Sequence, residues 1–584
     1  MTFKMKRICY ILALAAMSAS AQNLSTEITV DRTIVPAERA AMRLNSVRPA
    51  LLSTPVAPSR IGMTEYTEPG TVTRSSVVLA PAAWADTFAV SPYRGYVSGG
   101  YFPAYNLAVS AGYRLLQTAD TRLGVWGQFD GLSYKHRPAP DAEKNTYKYN
   151  INAYGADFDH RFGSHGVLTV GAAYRFGSVQ APHEEYYDRR NINMADVRAA
   201  WYARAGRAGY HVDAELHTFG YKPKLNDGVV FDGPAPEGLY GTKGTELNFA
   251  ASAGVIARLG ERRAGHRAGL ELKADMLSRP DALVLERGIY TLTGDEYFCP
   301  ALAKGSTLGV ISATPYYAFG GATGLNLRLG ARIDISTGGD GKKFHIAPDV
   351  QASYSRSGFS IYARAGGGEV LNTQRSLFDF TPFFPVGWMY GRSHVPLTVD
   401  AGVNVGPFAG FGIGVFGGWA RANDWLMPSL TSIYFSPVAT MQPVDVKGFH
   451  AGIRAVYDYR SLLHVEASAE FAPQSATSGY YLWRDRAKSV VKASATVRPL
   501  ERLELTLGYE FREGRACYTL YPVEGAERVG LGCVSDLSFG ARYALTSALD
   551  IFARGDNLLG RRYSVLPGIA SQGVHGLVGA SFKF

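Results

Sequence analysis

Two short motifs in the chain have the spacing of known chemical sites. The first, Gly412 to Gly417 (GIGVFG), has the GxGxxG spacing of a dinucleotide-binding loop. That loop requires a strand before it and a helix after it, whereas here more glycine and strand-like sequence follow. Glycine in a bent or closely packed strand is the better interpretation. We therefore predict no cofactor.

The second motif, His183-Glu184-Glu185, begins like the HExxH helix of zinc proteases. Tyr187 stands where the second histidine ligand would be, and the surrounding sequence is a polar loop. The chain has no GxSxG elbow, no Ser/His/Asp set that stands out among its 12 histidines, and no Cys/His set at metal-binding spacing. The sequence thus predicts no catalytic or metal-binding residue, and a protein that is not an enzyme.

The first residues carry a secretion signal. Lys4, Lys6 and Arg7 precede an apolar run at 8–17 and small residues at 19–21, so we expect a signal peptide over 1–21. Its removal lowers the formal net charge from +10 to +7. That excess needs no nucleic-acid partner, because anionic lipid headgroups suffice to explain it.

Three cysteines remain in the exported chain, which can form disulfides. Cys517 and Cys533 flank one predicted loop, and we predict a disulfide between them. Cys299 would be left over.

The elements that must position any site are strands. In 168–177, 268–276 and 463–471, apolar residues alternate with small or polar ones, which is typical of strands with two different solvents on their two faces. No stretch after residue 21 approaches the roughly 18 apolar residues of a membrane helix. A membrane-embedded chain of this kind must be a closed barrel, because only helices and closed barrels satisfy their backbone polar groups in lipid.

The connections between the strands alternate between short and long, like the periplasmic turns and extracellular loops of outer-membrane barrels. The longer ones are 138–145, 181–190, 225–242, 280–308, 337–343, 373–394, 424–446, 474–487, 516–530 and 561–572. The rhythm predicts an all-β fold: an antiparallel transmembrane barrel of about 22 strands over 96–584, in the outer membrane of a Gram-negative cell. The proline-rich stretch 22–95 is predicted to be an irregular periplasmic arm.

The last strand ends on aromatic residues. Gly579, Phe582 and Phe584 resemble the C-terminal signal of bacterial outer-membrane barrels, and this resemblance implies that the barrel-assembly machinery reads them. Leu577 departs from that signal, since a polar residue usually stands there.

The segment Asp556 to Tyr563 (DNLLGRRY), followed by that last strand, resembles the end of the TonB-dependent outer-membrane receptors. These receptors fold a plug domain into the barrel, and 22–95 is too short for a full one. The resemblance therefore implies a plugless relative. The segment Thr26 to Val30 is only faintly similar to the stretch of such receptors that contacts TonB, and an ordinary extended segment is the better interpretation.

The predicted loop 373–394 is rich in large aromatic residues. They are Phe378, Phe380, Phe383, Phe384, Trp388 and Tyr390. Exposed aromatic clusters commonly bind partners, but such a loop can also fold back and pack on itself or in the lumen. Both alternatives stay open at this point. The predicted loops 280–308 and 424–446 would build an extracellular cap with it.

A barrel of this size must have its lumen filled, by the arm, by inward-folded loops or by another polypeptide. Two functions fit. The first is a scaffold subunit of an outer-membrane transport or assembly complex, which contacts protein partners through the aromatic loop. The second is a transport channel for a specific solute, with the arm as a reduced plug.

Overall fold

The computed structural model of the protein describes residues 93–584. Fifteen short stretches within that range are excepted: 104–105, 138–143, 164, 182–186, 226–242, 260–264, 290–295, 321–323, 340–342, 384–386, 434–435, 473, 477–486, 522–524 and 567–568. The predicted signal peptide, all but the last residues of the arm and the segment Thr26 to Val30 lie outside the described residues, as does most of the His183 motif.

The described residues form strands almost throughout. In chain order they are β1 Gly95–Phe102, β2 Asn106–Gln117, β3 Thr121–His136, β4 Asn145–Arg161, β5 Val167–Gln180, β6 Tyr187–Ala205, β7 Ala208–Leu225, β8 Gly244–Arg258, β9 His266–Ser278, β10 Ala282–Ile289, β11 Glu296–Ala303, β12 Thr307–Gly320, β13 Leu325–Thr337, β14 Phe344–Arg356, β15 Phe359–Leu371, β16 Arg392–Phe408, β17 Phe411–Ile433, β18 Ser436–Tyr459, β19 Leu463–Phe471, β20 Gln474–Ala476, β21 Ser489–Leu500, β22 Leu503–Glu513, β23 Ala516–Tyr521, β24 Gly525–Gly530, β25 Val534–Ala544, β26 Leu549–Asp556, β27 Ser564–Leu566, β28 Ile569–Ala570 and β29 His575–Lys583. One short helix, Gln374–Phe380, lies between β15 and β16. Within the described part of the chain, no helix is long and apolar enough to cross a membrane.

A closed antiparallel ring of 22 strands confirms the predicted barrel. Each strand of the ring pairs with the next one along the chain, apart from the strands that lie in the long connections. Those are the hairpins β10–β11 and β23–β24, the short β20, and the separate pair β27–β28. The architecture is that of a bacterial outer-membrane barrel, with short turns at one end and long connections at the other.

The ring closes where the last strand meets the first. β29 pairs with β1 from Tyr96↔Lys583 to Tyr101↔Val578. The Phe584 carbonyl accepts from the N–H groups of Arg94 (2.7 Å) and Gly95 (2.8 Å). The terminal aromatic residue thereby completes the hydrogen-bond ladder at the seam.

The two faces of the strands differ as the alternation predicts. Val578, Phe582 and Phe584 point outward and are exposed, whereas Leu577 is buried. The departure at Leu577 has a local reason, because a Cβ on Gly100 would lie 2.7 Å from Leu577 Cγ. Leu577 fills the space beside that glycine.

The inner face of the barrel is polar and charged. Arg198 lies 2.6 Å from Asp213 across neighbouring strands, and Arg328 lies 2.7 Å from Asp349. Their chain neighbours Val197, Val212 and Leu329 are exposed on the outer face. The barrel thus has an apolar outer band and an ion-paired lumen, which is the distribution of a transmembrane barrel.

The predicted loop 424–446 is wrong. β17 continues to Ile433 and β18 begins at Ser436, so these residues extend a hairpin beyond a register shift between Ala422 and Trp425. The pairing continues because Trp425 and Met427 are buried in one apolar cluster with Val446 and Ala516.

The structure does not join Cys517 to Cys533, and the disulfide between them stays a prediction. Cys517 is buried in β23, whereas Cys533 is exposed in the segment before β25. The two thiols therefore lie in different environments. Cys299 lies in β11.

The seam gives a matched test of barrel closure. A Cβ on Gly579 would lie 2.1 Å from the Gly99 carbonyl oxygen, whereas a Cβ on Gly99 would meet nothing within 4 Å. We expect Gly579→Ala to lose most of the heat-modifiable, membrane-inserted barrel and Gly99→Ala to keep it, as measured by gel migration of unheated outer membranes. Equal levels of folded barrel in both variants would contradict this account of the seam.

Candidate functional site

The candidate site is the connection 372–391 between β15 and β16, which we call the crossing loop. Its two ends are joined by Asn372, whose side-chain amide donates to the Gly391 carbonyl (2.9 Å) and to Ser393 Oγ (3.0 Å). Thr373 then caps the short helix by accepting from the Ser376 N–H. These hydrogen bonds hold the two ends of the loop together and fix where the loop leaves the barrel wall.

The crossing loop reaches the far wall of the barrel. Phe383 packs edge-on against Tyr147 of β4, with ring centroids 5.3 Å apart, and against Tyr134 of β3 at 6.1 Å. In the ring order, β3 lies half-way round from β16, where the loop ends. Tyr134 and Tyr147 are cross-strand partners and stack on each other at 4.7 Å, so they present one flat aromatic surface to Phe383.

Polar contacts hold the loop along the way. The Gln374 N–H donates to the carboxylate of Glu246 on β8 (2.9 Å), and Arg375 Nη1 lies 3.1 Å from Asp196 Oδ1 on β6. Arg279, which follows β9, donates to the Tyr390 carbonyl. Both the apolar and the polar anchors therefore lie on strands distant from the loop's own.

Two loop residues have shifted acid–base properties. Burial lowers the pKa of the Arg375 guanidinium, but the carboxylates of Asp379 and Asp196 raise it by more, so that this pKa lies above its ordinary value. Burial also raises the pKa of the Tyr390 hydroxyl. Arg375 is thus charged, and Tyr390 neutral, wherever the barrel is folded near neutral pH.

A second connection packs at the same place. The Tyr134 hydroxyl donates to the Ala570 carbonyl (2.8 Å), and the Ala570 N–H donates to the Tyr147 hydroxyl (3.1 Å). Ile569 and Ala570 of β28 are buried in the same apolar cluster as Phe383. Two connections therefore meet on the inner face of β3 and β4.

The aromatic residues predicted to contact a partner are turned inward. Phe378, Phe383, Trp388 and Tyr390 are buried in this cluster, and Phe378 packs against Phe219 of β7 at 5.4 Å. Phe384 and the side chain of Phe380 lie outside the described residues. Of the two alternatives left open by the sequence, the structure has the inward-packed loop, because the barrel wall offers apolar surface at its rim.

Sequence reasoning missed the wall residues that receive the loop, namely Tyr134, Tyr147, Phe219, Glu246 and Asp196. Part of the signal for these contacts was present in the sequence. Ile192, Met194 and Phe219 are apolar residues at strand positions that face the lumen, where polar residues are usual, and all three are buried. Their partner could not be assigned, because it lies far away in the chain.

The dinucleotide-like motif lies inside β17, which pairs antiparallel with β16 and β18. The strand interpretation of Gly412 to Gly417 is confirmed. A Cβ on Gly417 would lie 3.0 Å from the His450 carbonyl oxygen, so this glycine serves close strand packing.

Comparison with known proteins identifies the fold. No family model and no curated protein matches the sequence. Solved structures do match, at low identity. The chain is 13% identical to FpvA of Pseudomonas aeruginosa bound to an iron–pyoverdine complex, with a TM-score of 0.61 over 84% of this chain and 72% of that one.

Two further structures are similar to the same degree. The ferric enterobactin receptor PfeA of Pseudomonas aeruginosa is 11% identical, with a TM-score of 0.60 over 84% of this chain and 80% of that one. FpvAI in complex with pyocin S2 is 12% identical, with a TM-score of 0.61 over 84% and 70%. The chain has the barrel fold of the TonB-dependent receptors. The predicted absence of a full plug concerns residues outside the described part and stays a prediction.

The packing of the crossing loop can be tested through Phe383. Removing a buried phenylalanine ring typically costs about 3 kcal/mol, so Phe383→Ala should favour opening of the loop. We expect much faster cleavage within 372–391 by external protease on intact cells, with the barrel still heat-modifiable.

Asp379→Asn is the control within the same loop, because the Asp379 side chain is 53% exposed and its ion pair with Arg375 contributes little at that exposure. Its cleavage rate should stay close to wild type. Equal cleavage of Phe383→Ala and wild type would mean that the ring does not hold the loop.

Proposed function

We propose that the protein is a transport barrel of the outer membrane, which takes up a specific solute through its lumen. The observation that carries this proposal is the crossing loop, which extends over the outer mouth from β15 and β16 to β3 and β4. A lumen that is lined by ion pairs and covered at its mouth by a loop suits regulated passage. An open pore would need no such cover.

The fold supports the same class of function. The similar structures are named as receptors for pyoverdine and for ferric enterobactin. A small organic solute is therefore the ligand class that we propose here. The arm 22–95 would act on the periplasmic side as a reduced plug.

The scaffold hypothesis loses one of the observations that motivated it. It placed the aromatic residues of 373–394 on the outer surface, and Phe378, Phe383, Trp388 and Tyr390 are buried. No other described feature favours a docked protein partner over a solute.

The crossing loop should control conductance. Replacing residues 374–390 by a short Gly/Ser linker removes the cover, so we expect a several-fold rise in single-channel conductance in planar bilayers. Because the arm is proposed to block the other end, the comparison is made in the full chain and in a chain without 22–92. The increase should be largest in the shortened chain.

Deletion of residues 226–242 from another long connection, a segment of equal length, is the control and should leave conductance unchanged. A large conductance in the wild-type shortened chain, unaffected by loss of 374–390, would refute the closure. If the full chain purified tightly bound to another polypeptide and never conducted in any form, the scaffold hypothesis would replace it.

A further inference from the structure

Three potential metal ligands converge inside the barrel, at the base of the crossing loop. His345 Nε2 lies 3.0 Å from Glu369 Oε1, and His394 Nδ1 lies 3.4 Å from the same oxygen. The three ligand atoms all lie within 4.8 Å of one another. We propose that His345, Glu369 and His394 bind a divalent transition-metal ion such as Zn²⁺.

The geometry fits such an ion. A tetrahedral zinc site with bonds of about 2.1 Å places its ligand atoms about 3.4 Å apart. The two distances to Glu369 Oε1 are close to that value. Two imidazoles and one carboxylate are also a donor set that zinc and neighbouring divalent metals accept, with the remaining position left for water or another ligand.

The three ligands come from three adjacent strands, and a backbone irregularity aims one of them. Glu369 and His394 are cross-strand partners of β15 and β16, and His345 stands near the start of β14. The β15–β16 register shifts between Gly366 and Gly368. Bulges of this kind redirect side chains and occur next to functional sites.

Gly368 allows this bulge. Its φ is +138°, and a Cβ there would lie 2.5 Å from the Arg332 guanidinium carbon. The Glu369 N–H, displaced from the regular ladder, donates instead to Asp334 Oδ2 at 2.8 Å. The chain thus holds the Glu369 backbone in a fixed, irregular position.

The Glu369 carboxylate is oriented by its other oxygen. Glu369 Oε2 accepts from Ser336 Oγ (3.2 Å) and lies 3.5 Å from Arg392 Nε. Oε1 is therefore turned toward the two imidazoles. Outer partners that fix a ligand in this way are typical of metal sites.

The site is shielded from bulk water. The side chains of His345, Glu369 and His394 are only 13%, 4% and 15% exposed. Their rings and carboxylate also lie at the root of the crossing loop, since Asn372 follows Glu369 closely and Ser393 precedes His394. A bound ion would join β14, β15 and β16 where the loop leaves the wall.

The direct test is metal binding by the folded full-length barrel, purified without a histidine tag and treated with a chelator. Isothermal titration with Zn²⁺ should show a single tight equivalent, and Co²⁺ should give the visible absorption of a low-coordinate site. His394→Ala should weaken Zn²⁺ binding at least as much as loss of an outer partner does, about 10- to 100-fold.

Two further variants keep the test decisive. Glu369→Gln removes the negative charge of the carboxylate with little change of shape. It replaces His394→Ala in the binding test if that variant does not fold. His450→Ala is the matched control, because His450 Nε2 also lies 3.3 Å from a lumenal carboxylate, Asp400, but no second histidine among the described residues completes a metal-binding set there. Its Zn²⁺ affinity should equal that of the wild type.

Absence of tight binding by the wild-type barrel would overturn the proposal. So would Zn²⁺ affinity that is unchanged in both His394→Ala and Glu369→Gln. Since these readouts are binding and spectroscopy, they do not depend on whether the barrel transports a solute.

Discussion

Lipid offers no hydrogen bonds to the backbone, and this constraint determines the rest of the structure. Every strand in the membrane must pair on both edges, so the sheet has to close on itself. The seam between β1 and β29 achieves this with glycine where a side chain would clash with the facing backbone, at Gly579 beside the Gly99 carbonyl. The carbonyl of the terminal Phe584 supplies the last acceptor. Closure thus depends on β29 and on Phe584, which follows it.

Closure creates a second requirement, because a ring of 22 strands encloses a wide lumen. The crossing loop covers the outer mouth of this lumen. To receive the loop, the barrel wall carries apolar residues on its inner face, where polar and charged residues are usual. Where the loop contacts β3, β4 and β7, the inner face carries Tyr134, Tyr147 and Phe219 instead of charged residues. Charged anchors at Glu246 and Asp196 fix its course. The His345–Glu369–His394 cluster stands beneath its root.

The sequence predicted what depends on local periodicity and failed where distant residues decide. Alternation at 168–177 and the aromatic end of the last strand sufficed for a barrel, and the rhythm of short and long connections sufficed for its approximate strand number. The inward orientation of the Phe383 side chain depends on its packing against Tyr134 and Tyr147, which lie far away in the chain. Residues 424–446 resembled a loop, yet burial of Trp425 and Met427 extends a hairpin through them. The three metal ligands are widely spaced in sequence, so no spacing rule could find them.

The central claim, that the crossing loop spans the mouth, is tested most directly by cross-linking across the lumen. Phe383 is replaced by p-benzoylphenylalanine, a photoreactive residue that keeps an aromatic ring at this position, and intact cells are irradiated. The account predicts a cross-link from position 383 to the β3 or β4 peptide that contains Tyr134 or Tyr147, and no cross-link to the crossing loop when the same photoreactive residue replaces Tyr154 on the exposed outer face. Cross-linking of position 383 to a separate protein, with no product that joins it to β3 or β4, would contradict it.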